Sequence, residues 1–201
     1  MTNEADASTG VCLRVMFTRE LLAELLHHME WADAKVWAAV PDNQPADPRL
    51  TQWLVHIHVV QRAFFTVWTG GDVRTSFRNP EDFAALHEVR DWARDYYAPT
   101  HQFIRAITPD RLAAPLVMPW AAQIAQQIGR PIGPTTIGET CFQVVSHSTY
   151  HRGQVNARLR ELGAQPPLVD YIAWLWFGRP GPEWPSTPLG PSPSAVEGST
   201  A

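Results

Sequence analysis

Between Phe17 and Val40 the apolar residues Leu22, Leu25, Leu26, Met29, Ala32 and Val36 recur at intervals of three and four, which lays a single stripe along an α-helix. Thr18 stands in front of that stripe as a capping side chain, and PDNQPADP ends it with three prolines. A second, strongly apolar and therefore central helix is predicted from Pro48 to Trp68, with the Gly70-Gly71 pair after it as a left-handed cap. NPEDFAALHEVRDWARDYYAPTHQFIRAI predicts a third, more amphipathic helix, opened by Asn79 or Pro80, acidic in its first turn and continuous to Ile107.

Residues 108–135 carry five prolines and two glycines, so the runs LVMPW and IGRPI read either as a hairpin or as a long excursion. A fourth helix is predicted from Thr135 or Thr136 to Leu162. Thr136 and Glu139 have the spacing of a capping box, and Gly163 closes the far end. LVDYIAWLWF predicts a further turn or two of helix. The pattern as a whole predicts an all-α four-helix bundle over 16–178, with a short C-terminal helix and a long excursion before the fourth helix. A flexible leader at 1–15 and a disordered tail at 179–201, with six prolines, are expected to flank it.

Composition narrows the function classes. With 201 residues, 45% of them hydrophobic, the chain suffices for one domain with a sizeable core. Its 16 Lys+Arg are scattered and its net charge is −4, which disfavours a nucleic-acid binder. There is no apolar run of transmembrane length, and MTNEADASTG lacks the features of a signal peptide, so a cytoplasmic protein is expected. Cys12 and Cys141 stand far apart and outside any C-x-x-C pattern, which suggests neither a disulfide framework nor a thiolate metal site. The nine tryptophans read as core packing.

The candidate chemistry lies in the histidines. SHSTYHRGQV places His147 and His151 at i and i+4 on the fourth helix, where two imidazoles can converge on one ion. They fall on or beside the stripe of Val144 and Val155. A metal clamp and a polar stripe with one ring bonded to a neighbour are equally open from this spacing, and a metal needs a further ligand. On the second helix His56 and His58 point about 200° apart. His56 shares its side with Trp53, Val60, Ala63 and Val67 and is expected to face inward, whereas His58 is expected to face away. His27, His28, His87 and His101 are given no role. Three imidazoles, His56, His147 and His151, would form a site for Zn²⁺, Ni²⁺ or Fe²⁺ with a position left open for water or substrate.

HSTYHRGQV, the following LGAQPPLVDYIAWLW, the second-helix LVHIHVVQRAFFTVWTG and the first-helix EWADAKVW together resemble the DinB-like proteins over roughly residues 17–177. The resemblance implies a four-helix bundle, usually a homodimer, with a divalent metal on His56, His147 and His151. It also implies a small-molecule substrate, since known activities in that family are mostly thiol-dependent: maleylpyruvate isomerisation with mycothiol and S-transfer with bacillithiol. Three positions depart from it. Gln61 stands where an acid is common, Asp33 where Asn is common, and Gln143 where a further histidine often precedes the pair.

Within the motif, Arg152 reads as a structural cap or a substrate clamp, Gly153 as a site of close helix approach and Tyr150 as packing. No acid lies within a turn of the histidine pair in the manner of H-E-x-x-H, which argues against peptide hydrolysis. No catalytic side chain is singled out. A metal-dependent thiol transferase or related enzyme leads. A non-catalytic metal- or ligand-binding stress-response bundle and a plain dimerisation module remain as rivals.

Overall fold

A computed structural model of the chain describes residues 17–41 and 46–186. The expected leader, Cys12 and the last part of the expected tail lie outside these residues.

The first helix, α1 (Arg19–Ala39), starts where Thr18 Oγ1 accepts from Leu21 N at 3.1 Å. In α2 (Pro48–Thr69), Asp47 caps the start and Gly70, at φ 74°, ends it in the left-handed conformation that glycine adopts without strain. The predicted third helix is instead two short 3₁₀ turns followed by α3 (Leu86–Arg94) and α4 (Tyr97–Ala106). Pro99 fits the break, since it has no N–H for the Asp95 carbonyl and its ring crowds that group, and at the junction Tyr96 N bonds Ala93 O at 3.3 Å in a tighter turn.

The excursion comprises α5 (Pro109–Ala113), β1 (Pro115–Leu116), α6 (Ala121–Ile128) and β2 (Thr135–Thr136), and β1 pairs antiparallel with β2. The hairpin partner of the LVMPW run is therefore Thr135–Thr136 and not IGRPI. This excursion docks at the N-terminal end of α7 (Ile137–Glu161), where Thr136 and Glu139 form the predicted capping box. The last helix is α8 (Tyr171–Trp176). The result is an all-α bundle of three long helices and a bent arm, α3–α4, and no helix among the described residues is long and apolar enough to cross a membrane.

The core has two apolar layers. One joins Leu22, Leu26 and Met29 of α1 to Trp68, Tyr96, Ile104, Cys141 and Val144. The other joins Val36 and Trp37 to Leu50, Leu54, Ile57, Val89, Val155 and Leu159. Each fully buried aliphatic side chain in these layers contributes about 1.5–3 kcal/mol by leaving water.

Between the layers lies a belt of buried polar side chains: Asp33 from α1, His58 and Gln61 from α2, and Ser148 and Arg152 from α7. Burial of such groups is tolerable only when every one is bonded. Here Trp37 Nε1–H donates to His58 Nε2 at 3.1 Å, which leaves the His58 proton on Nδ1 to be donated to Gln61 Oε1 at 2.8 Å. Gln61 Nε2 then donates to Asp33 Oδ2 at 2.9 Å and to Ser148 Oγ at 3.1 Å, and Tyr97 OH also donates to Asp33 Oδ2. Arg152 Nη1 donates to Asp33 Oδ1 at 2.8 Å.

A corner of the bundle departs from the predicted disorder. The Pro-rich segment from Arg179 is packed as far as Ser186, because Trp184 is half-buried against both apolar layers and Lys35 Nζ meets Glu183 Oε2 at 3.1 Å. A single aromatic with an apolar seat and a hydrogen-bond partner outweighs a composition that otherwise favours a loose tail.

Candidate metal centre

His56 projects from α2, and His147 and His151 project from adjacent turns of α7. The helices bring the three rings together, with centroids 5.1 Å apart for His56–His147, 4.5 Å for His56–His151 and 4.3 Å for His147–His151. One nitrogen from each ring lies within 4.8 Å of the others, close enough for small side-chain rotations to seat all three on one ion.

Two further observations fit a metal. His151 Nδ1–H donates to Gln154 Oε1 at 2.7 Å, which holds the proton on that nitrogen and leaves Nε2 with a free lone pair. His147 Nδ1 is buried without a hydrogen-bond partner, an uncommon condition for an imidazole nitrogen unless a ligand completes it. Two of the rings, His147 and His56, are also shifted toward the neutral form that coordinates. Burial, and then the neighbouring His151 and His56, push the His147 pKa down to about 4, and burial followed by His151 lowers that of His56.

His56 and His58 are oriented opposite to the sequence-based expectation. His56 is exposed and His58 is buried at 1% exposure. The buried residues of α2 are Leu50, Leu54, Val55, Ile57, His58, Gln61, Ala63 and Trp68, two of them strongly polar, and of the four residues expected beside His56 only Ala63 is buried while Trp53, Val60 and Val67 are half-buried. Apolarity alone was a misleading guide because Trp37 and Gln61 supply His58 with partners inside the core. His56 instead sits on the flank that faces α7, at the solvent edge of the cluster.

The other motif residues divide clearly. Arg152 is 2% exposed and bonded to Asp33 and to Thr149 Oγ1, which is the structural role. Burial pushes the Asp33 carboxyl up, but the Arg152 guanidinium and the donors around it outweigh this and hold its pKa below the usual value. Tyr150 is 67% exposed with its ring edge-on to His151 at 5.0 Å, and is not a core residue. A Cβ on Gly153 would meet nothing within 4 Å, so this glycine mediates no close helix approach. His28, given no role from the sequence, is buried, with its Nε2 3.0 Å from the Val169 carbonyl and its ring among Trp31, Tyr171 and Trp174. Gln143 is exposed.

Sequence reasoning gave Gln154 no function, although its i+3 position from His151 already placed the two on one helix face. It likewise missed the His58 network, whose signal was a pair of polar residues at core spacing.

A segment of Protein DinB from Bacillus subtilis (strain 168) is 40% identical to this chain over 45 residues, which is 22% of this chain and 26% of that protein. The match thus spans about a quarter of the relative's length. No solved structure matches. The profile of the DinB family matches residues 16–183, from the first helix through the packed C-terminal segment. With most of its length matched in this way, the chain belongs to the DinB family.

Proposed function

We propose that the protein binds one divalent metal ion through His56, His147 and His151 and works as a metal-dependent enzyme on a small-molecule substrate, by thiol transfer or a related reaction. The observation that carries the metal reading is the convergence of three imidazoles from two helices, one of them with a buried and unpartnered nitrogen, His147 Nδ1. Such a site supplies Lewis-acid chemistry, holding a thiol as thiolate or making a bound water more acidic at a position the protein leaves open.

The chain's own residues do the preparatory work. Gln154 fixes the His151 ring by accepting its Nδ1 proton, and the exposed His56 leaves the cluster reachable from solvent. Residues 148–150, Ser-Thr-Tyr, include no acid that would serve as a general base between the two α7 histidines, which favours a reaction whose nucleophile is activated by the ion alone. The choice of a thiol nucleophile rests on the family resemblance.

Equilibrium dialysis with elemental analysis tests the metal. The wild type is expected to retain one ion per chain more than the His147→Ala, His151→Ala double variant, and equal retention by the two would overturn the reading. The thiol step is tested separately by incubating the metal-loaded protein with mycothiol, bacillithiol or glutathione and a chromogenic electrophile. Turnover that disappears in the double variant supports it. Metal binding without turnover on any of the three would favour a non-catalytic metal-binding bundle.

A further inference from the structure

We propose a second divalent-cation site, formed by His27 and Glu30 of α1 and His101 of α4, which shares no residue with the first. His27 and Glu30 stand at i and i+3 on one turn, and α4 lays His101 across them. One ligand atom from each of the three lies within 4.8 Å of the other two. The His27 and His101 rings stack with centroids 4.4 Å apart and an interplanar angle of 27°.

The arrangement is graded from inside to outside as a binding site is. The Glu30 and His101 side chains are 14% and 11% exposed, while His27 is exposed and has no hydrogen-bond partner among the described residues. Glu30 is held by both of its oxygens. Oε1 accepts from Trp184 Nε1 at 3.3 Å and Oε2 lies 2.6 Å from His101 Nε2. Trp184 therefore orients the carboxylate and keeps Oε2 turned toward the imidazoles, the part that outer partners play around metal ligands.

A Glu–His ion pair needs only Glu30 and His101, and it does not account for a second imidazole brought into contact with the first. Two imidazoles and one carboxylate match the donor preferences of Zn²⁺, Co²⁺ and Fe²⁺, with room for solvent in the remaining positions. Binding would exchange the proton shared by His101 Nε2 and Glu30 Oε2 for the ion. Because Trp184 belongs to the packed segment Arg179–Ser186, an ion here would tie α1, α4 and that segment together.

Cobalt(II) is the probe, followed by calorimetric titration and by its visible absorption bands, in the full chain carrying His147→Ala and His151→Ala so that the first site is removed. The proposal expects one equivalent of Co²⁺ to remain bound. It expects that equivalent to vanish when His27→Ala and His101→Ala are added, and Glu30→Gln, which keeps the volume and the Trp184 bond, to weaken it at least about tenfold. Absence of bound Co²⁺ in the starting variant overturns the proposal, and so does binding that His27→Ala, His101→Ala leaves unchanged while circular dichroism shows a folded protein. The converse variant, with only His27 and His101 replaced, reports on the first site alone, so failure of either site is seen independently of the other.

Discussion

Gln61 Nε2 donates to Asp33 Oδ2 across 2.9 Å in the core of the bundle, so two of the three positions that depart from the resemblance are joined by one hydrogen bond. This chain carries the amide at 61, on α2, and the acid at 33, on α1. The buried Asp33 carboxylate is balanced by Arg152, which is bonded to its Oδ1. Asp33→Asn should destabilise the fold by about 3–5 kcal/mol, because it leaves the buried guanidinium without a counter-charge. Gln61→Glu should also destabilise, by setting a second carboxylate against Asp33. The double variant Asp33→Asn, Gln61→Glu restores one acid and one amide, and its loss in urea denaturation should be well below the sum of the two single losses. Simple additivity would show that the belt does not behave as one charge-balanced unit.

The parts of this fold that were legible in the sequence are those written in local chemistry. Thr18, Gly70, Thr136 with Glu139, and Gly163 mark helix ends because caps act over three or four residues. His147 and His151 were legible as a pair for the same reason. What depended on partners from distant segments was not. Nothing near Thr135 announces its pairing with Leu116, nothing near Trp184 announces its seat against Glu30, and the inward turn of His58 depends on Trp37, a residue of another helix. The break in the third helix was legible, since Pro99 stands in the sequence, but the amphipathic spacing on both sides concealed it.

The reversed orientation of His56 and His58 yields opposite expectations for two neighbouring histidines. His58→Ala removes the acceptor of Trp37 Nε1–H and the donor to Gln61 Oε1 and opens a cavity, so it should cost about 2–4 kcal/mol. His56→Ala, on the exposed flank, should change stability by less than about 0.5 kcal/mol while lowering metal retention. Thermal or urea unfolding of the metal-free variants measures both. A large loss from His56→Ala with none from His58→Ala would restore the orientation inferred from apolar spacing.

Asp47 joins two functions that one substitution separates. Its Oδ1 caps α2 by accepting from Leu50 N at 2.8 Å, and the carboxylate also takes Arg158 Nε at 3.1 Å and Nη2 at 2.6 Å. The bond from Arg158 is the main reason the Asp47 pKa is lowered to about 2. A carboxyl with a folded pKa below its unfolded value contributes stability that is present above the unfolded pKa and lost as pH falls through the folded one. Asp47→Asn keeps the cap and removes the charge. The variant should be less stable than the wild type at pH 7, by up to about 1 kcal/mol for a partly exposed pair, and the difference should close between about pH 4 and pH 2. Urea midpoints across that range provide the check, and a difference that persists at pH 2 would assign the effect to the cap.

Gly153 stands in the interior of α7 on an exposed face, and a Cβ there touches nothing. Gly153→Ala should therefore raise stability by about 0.5–1 kcal/mol through the smaller backbone entropy of the unfolded chain. A destabilised Gly153→Ala protein would mean that this face is covered by another molecule in solution, which sedimentation of the wild type and the variant would reveal.

Gln154 should affect the metal without affecting the fold. Its side chain accepts from His151 Nδ1–H at 2.7 Å and has no other hydrogen bond among the described residues, so Gln154→Leu leaves the helix and the core intact. It does remove the bond that fixes the His151 tautomer and ring orientation, and loss of such a partner typically lowers metal affinity about 10- to 100-fold. Gln154→Glu retains an acceptor and adds negative charge next to the imidazole, which makes the ring a stronger donor to an ion, so affinity should match or exceed that of the wild type. Competition against a chelating dye measures all three proteins under one condition. Equal affinities for the wild type, the Leu variant and the Glu variant would remove Gln154 from the site, and a loss in both variants would show that the amide itself, and not merely an acceptor, is required.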